Sequence, residues 1–152
     1  MPSPVEVGYK YLSVREQPKG SNRAPEIDAW LKAVGAPLGS PWCAAFVYHA
    51  LVTGGVTPPK RSGRVQDWVD AVGVDTLLPS SKAREGDVLV FWFKSLNRYA
   101  HIGLCTGRDG KAILTLEGNT IPTGFTGDSR EGFGVFEHRL NPSPNLKVLR
   151  LT

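Results

Sequence analysis

The hydrophobic pattern of the chain changes at Gly86, and this change restricts the fold more than any other feature. Before Gly86, apolar residues recur at i, i+3, i+4 and i+7, the spacing of amphipathic helices. After it they form short dense runs of strand length, two of which are separated by the turn signal Asp109-Gly110. Helices followed by a series of strands predict an α+β domain in which N-terminal helices pack on a central antiparallel sheet.

The pattern predicts three helices and about five strands. The helices are expected over residues 25–34, 41–52 and 64–72, and the strands over residues 87–92, 100–106, 112–117, 133–138 and 146–151. No linker or repeat divides the 152 residues. We therefore expect a single domain over 1–152 with one hydrophobic core.

The second predicted helix contains the first candidate for chemistry, Cys43. Ser40 is a suitable N-cap and Pro41 suits the first helical position, which puts Cys43 in the opening turn. Unpaired N–H groups and the positive end of the helix dipole favour a thiolate there, and the Cys43 N–H is placed to bind an oxyanion. The alternative is a small buried cysteine on the core face of the helix.

His101 is the best-placed base among the three histidines. His49 lies on the same helix as the cysteine, six residues later, and projects from another face. His138 lies near the end of a late strand, where we expect it to face solvent. His101 begins an otherwise apolar strand, and strand alternation predicts Tyr99 and Gly103 on its face. A structural histidine with satisfied hydrogen bonds is the alternative.

Glu117 and Asn119 are the candidates for the group that orients this base. A hairpin turning at Asp109-Gly110 makes the strands of His101 and Glu117 neighbours, and brings Glu117 or Asn119 opposite the imidazole. A base in this kind of mechanism needs a third group that fixes its tautomer. The pattern does not decide between Glu117 and Asn119, and a solvated strand end is the alternative for Glu117.

Charge and hydropathy restrict the partners. Eighteen Lys and Arg residues against 14 Asp and Glu give a net charge of +4, which is compatible with an anionic polymer or with no charged partner. The basic residues are scattered apart from Lys60, Arg61 and Arg64, so we expect no nucleic acid as partner. No apolar stretch approaches the roughly 20 residues that cross a bilayer, so we expect no membrane insertion.

The two cysteines are expected to be free thiols, because Cys43 and Cys105 lie in different patterned segments. A metal site of His101, Cys105 and Cys43 is disfavoured, since positions 101 and 105 lie about 13 Å apart along a strand. The first residues show neither the basic nor the apolar part of a secretory signal, so we expect no signal peptide.

Four motifs follow one another along the chain. They are Ser40-Pro41-Trp42-Cys43-Ala44-Ala45-Phe46-Val47, Gly86-Asp87-Val88-Leu89-Val90-Phe91, His101-Ile102-Gly103-Leu104 and Leu116-Glu117-Gly118-Asn119-Thr120. In this order they resemble the motifs of CHAP-type peptidoglycan hydrolases of the NlpC/P60 superfamily. The resemblance extends from about Tyr11 to Phe136 and implies a papain-like fold.

The resemblance also implies an activity and a set of site residues. The activity is cysteine-dependent hydrolysis of amide bonds in bacterial peptidoglycan, by an N-acetylmuramoyl-L-alanine amidase or a peptidoglycan endopeptidase. The implied site residues are Cys43 as nucleophile, His101 as general base and then acid, Glu117 as the group that orients His101, and Asn119 as an assisting residue that hydrogen-bonds the imidazole or steadies the cleft.

Further expectations concern the cleft and its ligands. Trp42, next to the nucleophile, and Tyr99 are expected to line the substrate cleft, with a place in the core as the alternative for both. Some family members bind calcium through an acidic loop near the N-terminus, but residues 18–23 are basic here, so we expect no metal and no other cofactor. We expect a monomer whose partner is bacterial peptidoglycan.

An endolysin-like phage lysis protein is the first expectation for the biological role. A secreted antibacterial amidase effector is the second. A non-catalytic phage tail or wall-binding module with the same fold, and a thiol acyltransferase or amidase with a non-wall substrate, stay open. Without a signal peptide, such a protein is expected in the host cytoplasm until lysis, or is delivered by a virion or secretion machinery.

Overall fold

The computed structural model describes residues 2–122 and 132–152, which form four α-helices and one six-stranded antiparallel sheet. The helices are α1 (Pro4–Tyr9), α2 (Pro25–Ala33), α3 (Cys43–Thr53) and α4 (Val65–Val72). The strands are β1 (Leu78–Pro79), β2 (Val88–Phe93), β3 (Arg98–Asp109), β4 (Ala112–Thr120), β5 (Gly134–Leu140) and β6 (Leu146–Leu149). Their order across the sheet is β1-β6-β2-β3-β4-β5.

This architecture confirms the predicted α+β class and the packing of helices on an antiparallel sheet. The sixth strand, β1, was not predicted because its two residues are too short to produce a hydrophobic pattern. Helix α1 was not predicted either, because its six residues are too few for a helical period to repeat. Its start is marked by a capping box of Ser3 and Glu6. None of the described helices has the length and apolar character needed to cross a membrane.

Helix α3 lies at the centre of the core. It is buried along most of its circumference, as expected for a helix that is apolar on nearly all sides. It packs against α1, α2, β3 and β4. The approach to β4 depends on Gly118, where an added Cβ would lie 2.8 Å from the Cβ of Phe46. The first turns of α3 are therefore held directly against the strand that carries Glu117 and Asn119.

A bulge in the pairing of β2 with β3 decides which face the first residues of β3 occupy. His101 lies opposite Phe91, whereas Tyr99 lies opposite Trp92, which leaves Ala100 as the extra residue. Because Phe91 and Trp92 are consecutive, they point to opposite faces of the sheet, and so do their partners. The prediction that Tyr99 shares the face of His101 is therefore wrong, since the alternation is interrupted between them.

A second irregularity lies near the end of β4. The pairing with β5 shifts between Glu117 and Thr120, and Asn119 has a φ of 53°, in the left-handed region. Simple alternation, which predicts Glu117 and Asn119 on one face, does not hold across this step. The side chains of Glu117 and Asn119 therefore need not point in the same direction.

Candidate active site

Cys43 is the first residue of α3, and Trp42 is the N-cap. The prediction of Ser40 as N-cap and Pro41 as first helical residue is wrong, because Ser40 belongs to the preceding turn, where its hydroxyl donates to a carbonyl three residues back (2.6 Å). The helix opens with the hydrogen bond from the Phe46 N–H to the Trp42 carbonyl. The N–H groups of Cys43 and the next two residues thus have no acceptor within the helix, and Cys43 lies at the positive end of the helix dipole.

Trp42 and Tyr99 are core residues, so their predicted place in the cleft is wrong. Trp42 has no exposed surface, and its indole Nε1 donates to Glu16 Oε2 at 2.8 Å. The other oxygen of Glu16 accepts the Gly20 N–H at 2.9 Å, which anchors the residue before Cys43 from inside the core. Tyr99 is 6% exposed, and its ring packs edge-to-face on Trp92 with centroids 5.1 Å apart.

His101 and Glu117 form a buried pair on neighbouring strands. The predicted adjacency of these strands is confirmed, because β3 pairs with β4. His101 Nε2 and Glu117 Oε1 are 2.8 Å apart, and the two side chains are 1% and 4% exposed. The second carboxylate oxygen accepts the Thr115 hydroxyl at 2.5 Å. Of the two orienting residues that the sequence leaves open, Glu117 is the one bonded to the imidazole.

The space for this pair is provided by its neighbours in the sheet. A Cβ at Gly103 would lie 2.7 Å from Cγ of Glu117, so only glycine leaves room for the carboxylate arm in its present position. The Phe91 ring packs on the imidazole with centroids 5.1 Å apart. The pair is therefore fixed by packing as well as by hydrogen bonds.

The pKa values of the pair follow from burial and from its contacts. Burial lowers the pKa of His101, but the contacts with Cys43 and Glu117 outweigh burial and raise the pKa to about 10. For Glu117, burial raises the pKa, and the hydrogen bond and charge of His101 outweigh it and lower the pKa. An imidazolium therefore faces a carboxylate at neutral pH. His101 Nδ1 has no hydrogen-bond partner among the described residues, which leaves this nitrogen for proton exchange with Cys43.

Asn119 lies in the wall of the cleft. It is 1% exposed and lines the same cleft as Cys43. Its Oδ1 has no hydrogen-bond partner in the part of the chain that the structure describes. Of the two roles that the resemblance allows, hydrogen bonding to the imidazole and steadying of the cleft, the position of Asn119 fits the second.

The cleft that opens on Cys43 has a volume of about 560 Å³. One side is formed by the residues around the start of α3. The other side is formed by residues 61–65, which lead into α4, and by Arg98 and Ala100 at the start of β3. Three arginines, Arg61, Arg64 and Arg98, line it. Sequence reasoning missed this wall, although the short basic cluster before α4 was a signal for part of it.

The remaining histidines and the second cysteine lie outside the cleft. His49 is 3.0 Å from the Tyr11 hydroxyl, and burial lowers its pKa. His138 is half-buried rather than facing solvent as predicted, with Nε2 3.1 Å from the Thr120 hydroxyl. Cys105 is buried, and burial raises the pKa of its thiol. Within residues 2–122 and 132–152, no three His, Cys, Asp or Glu side chains are grouped to hold a metal ion.

Comparisons with known proteins concern the family and the fold. The model of the CHAP domain family matches residues 35–119, which include the four residues implied by the resemblance. A solved structure, the N-acetylmuramoyl-L-alanine amidase from Staphylococcus aureus, is similar with a TM-score of 0.51 and 15% sequence identity. The similarity covers 78% of this chain and 32% of that one, so the chain spans about a third of that structure. At this identity it establishes a shared fold. No curated protein matches the sequence.

Proposed function

We propose that this chain, which belongs to the CHAP domain family, hydrolyses an amide bond of bacterial peptidoglycan with Cys43 as the nucleophile. The observation that carries the proposal is the buried His101–Glu117 pair, 2.8 Å between Nε2 and Oε1, beside Cys43 at an open cleft. A nucleophile, a base and a group that orients the base are the three parts that thiol-dependent acyl transfer requires.

The first step is attack of the Cys43 sulfur on the amide carbonyl carbon. The His101 imidazolium beside the sulfur stabilises the negative charge that the attacking sulfur carries. As the C–S bond forms, the carbonyl electron pair moves to oxygen, and the unpaired N–H groups in the first turn of α3 stabilise that oxyanion. Because these donors belong to the backbone of a buried helix, they need no reorganisation during the reaction.

The second step releases the amine, and the third releases the acid. When the C–N bond breaks, His101 gives its proton to the leaving nitrogen, and a thioester on Cys43 remains. Neutral His101 then takes a proton from water, whose oxygen attacks the thioester carbonyl. The C–S bond breaks, the carboxylic acid product leaves, and the imidazolium–thiolate pair is restored. Glu117 holds the ring in one orientation throughout, and Asn119 offers its unpartnered carbonyl to an N–H of the substrate.

We propose the amide between N-acetylmuramic acid and L-alanine as the cleaved bond. This is the bond for which the solved structure of similar fold, an N-acetylmuramoyl-L-alanine amidase, is named. Mass spectrometry of the digestion products decides the bond, because cleavage at this position separates glycan strands from intact stem peptides. Products with shortened peptides still attached to sugar would assign an endopeptidase instead.

The test of the mechanism is release of soluble fragments from purified peptidoglycan. We expect Cys43→Ala to lower the rate at least about 10³-fold, because Cys43 is the one thiol among the described residues that line the cleft. Cys105→Ala is the matched control, since it removes the other thiol from a buried position outside the cleft. A folded Cys43→Ala protein that clears peptidoglycan at the wild-type rate would falsify the mechanism.

A further inference from the structure

Three arginines line the wall of the cleft opposite the start of α3, and two of them, Arg61 and Arg98, form no ion pair with any described residue. Arg61 and Arg64 come from the loop before α4, and Arg98 comes from the first residue of β3. No Asp or Glu is among the described residues that line the cleft. The basic cluster that stands out in the sequence is thus brought next to a third arginine, 34 positions or more away in the chain, at the mouth of the candidate active site.

The three guanidinium groups differ in how far they are already satisfied. Arg64 is paired with Asp67 at 2.9 Å, so its charge is partly neutralised. Arg61 uses its Nε to donate to the Ala33 carbonyl at 2.7 Å, which fixes the side chain and leaves the terminal nitrogens pointing past Gly35. Arg98 is half-buried, and its guanidinium makes no hydrogen bond or ion pair with any described residue.

The Arg98 guanidinium is not among the buried groups that lack a partner, so it is accessible from the cleft and free to bind a ligand there. Arginine presents planar N–H donors that match the two oxygens of a carboxylate. Stem peptides of peptidoglycan carry free carboxylates close to their amide bonds, and some walls carry these groups as primary amides instead. A cleft with unmatched arginines distinguishes the two forms, because an amide offers the guanidinium one neutral acceptor in place of two charged ones.

We propose that Arg98, supported by Arg61, is a carboxylate-binding subsite that selects stem peptides with a free carboxylate near the scissile amide. The inference rests on the proposed function and names the substrate class for the same site. Arg64 contributes less, because Asp67 already occupies one side of its guanidinium. The subsite acts on substrate binding and orientation and takes no part in the bond-breaking steps.

The first experiment compares hydrolysis of two soluble muropeptides that differ only in whether the carboxylates are free or amidated. We expect wild-type protein to favour the free form at least about tenfold in kcat/KM, and Arg98→Gln to lower kcat/KM for that form by about 10–100-fold, the usual range for losing a charge-assisted bidentate contact. The amidated substrate should change less than about twofold. Arg98→Lys keeps the positive charge and loses the planar pair of N–H donors. Its kcat/KM for the free-carboxylate muropeptide should lie between the values of the wild type and of Arg98→Gln.

The control is Arg139→Gln, which also removes one positive charge but lies on β5, paired with Asp109. It should leave the preference unchanged. Equal hydrolysis of both muropeptides by the wild type, or an equal loss for both in Arg98→Gln, would overturn the subsite. Circular dichroism checks that each variant is folded. If Arg98→Gln does not fold, the comparison is made with Arg98→Lys.

A second measurement separates failure of this subsite from failure of the proposed function. The free-carboxylate muropeptide is titrated into Cys43→Ala protein with and without Arg98→Gln, and binding is followed by calorimetry. We expect the added substitution to weaken Kd by about 10–100-fold. If the wild type hydrolyses neither muropeptide, the proposed function fails, and this binding result alone decides the subsite: weaker binding supports it, and unchanged binding overturns it.

Discussion

The two sides of the cleft are built on opposite physical principles. On the sheet side, His101 and Glu117 are almost completely buried and hydrogen-bonded to each other, and Glu117 has a second bond to Thr115. The other group, which we call the loop side, consists of Arg61 and Arg64, exposed on the loop before α4, and of half-buried Arg98, which lines the cleft with them although it is the first residue of β3. The comparison indicates that the candidate catalytic pair is fixed by the core, whereas the arginines lie in the solvent-accessible part of the cleft.

The energetic consequence of this difference is large. Removing one partner of a buried ion pair leaves an uncompensated charge and costs about 3–5 kcal/mol. An exposed pair such as Arg64–Asp67 contributes about 0–1 kcal/mol, because water and salt screen it. Substitutions on the sheet side should therefore change both the rate and the stability, and substitutions on the loop side should change substrate affinity with little effect on stability.

The largest expected effect is that of Glu117→Gln. We expect kcat to fall by about 10²–10⁴-fold, because the neutral amide no longer stabilises the imidazolium that the reaction needs. The free energy of unfolding should fall by about 3–5 kcal/mol, measured by denaturant titration. Glu85→Gln, at an exposed position, is the control and should match the wild type in both measurements. A kcat within tenfold of wild type would show that Glu117 is not needed to orient His101.

The protonation of His101 gives the next largest effect. Its pKa of about 10 means that the ring stays protonated through the range near pH 6.5 where a free histidine loses its proton. We expect NMR titration to show no change of the His101 ring near neutral pH and a change only at alkaline pH. In Glu117→Gln the pKa should move down, because burial still disfavours the charge while one of the two stabilising contacts is gone. His49, whose pKa is lowered by burial, serves as the internal control. A His101 that titrates near pH 6.5 in the wild type would contradict the ion pair.

The sheet side was largely predictable from the sequence for the same physical reason that makes it rigid. Buried elements repeat their apolar residues with a fixed period, so His101 and Glu117 stand out as polar residues within apolar strands. The hairpin signal at Asp109-Gly110 then brings the two together. The predictions that were wrong on this side concern local details that a hydrophobic period does not determine. An example is the bulge at Ala100, which puts Tyr99 and His101 on opposite faces of the sheet.

The loop side could not be predicted in the same way. A loop has no hydrophobic period, and Arg98 is only the first residue of its strand, so nothing in the sequence shows that Arg61 and Arg98 line one cleft. The buried position of Glu16 was not predicted for a related reason. An isolated acidic residue is normally exposed, and only the structure shows this one buried beneath Trp42 with both carboxylate oxygens hydrogen-bonded. Such contacts join distant segments and arise only when the core closes.

Gly103→Ala tests whether packing around Glu117 is needed to hold its carboxylate in position. The added methyl would lie 2.7 Å from Cγ of Glu117, so the carboxylate must move. We expect kcat to fall by about 10–100-fold, since displacement of a catalytic group by about 1 Å costs on this order, and stability to fall by about 1–3 kcal/mol.

The matched control for this variant is Gly8→Ala in α1. Its added methyl meets Cδ2 of Leu116 at 2.8 Å, a similar overlap but against the end of a flexible side chain. It should lower stability by a similar or smaller amount and leave kcat unchanged. If Gly8→Ala lowers kcat as much as Gly103→Ala, the loss reflects general overpacking of the core rather than the position of Glu117.

The smallest expected effect, and the one that separates the two sides most directly, is that of salt. Between about 0.01 M and about 0.15 M ionic strength the Debye length falls from about 30 Å to about 8 Å, which screens exposed charges and leaves buried pairs nearly unaffected. For a muropeptide with free carboxylates we expect KM to rise a few-fold over this range while kcat stays constant, and Arg98→Gln should reduce the rise. A fall of kcat at constant KM would instead mean that salt reaches the His101–Glu117 pair, which is incompatible with its burial. One salt titration measures both kcat and KM. It therefore tests the buried His101–Glu117 pair and the exposed arginines of the cleft with a single set of samples.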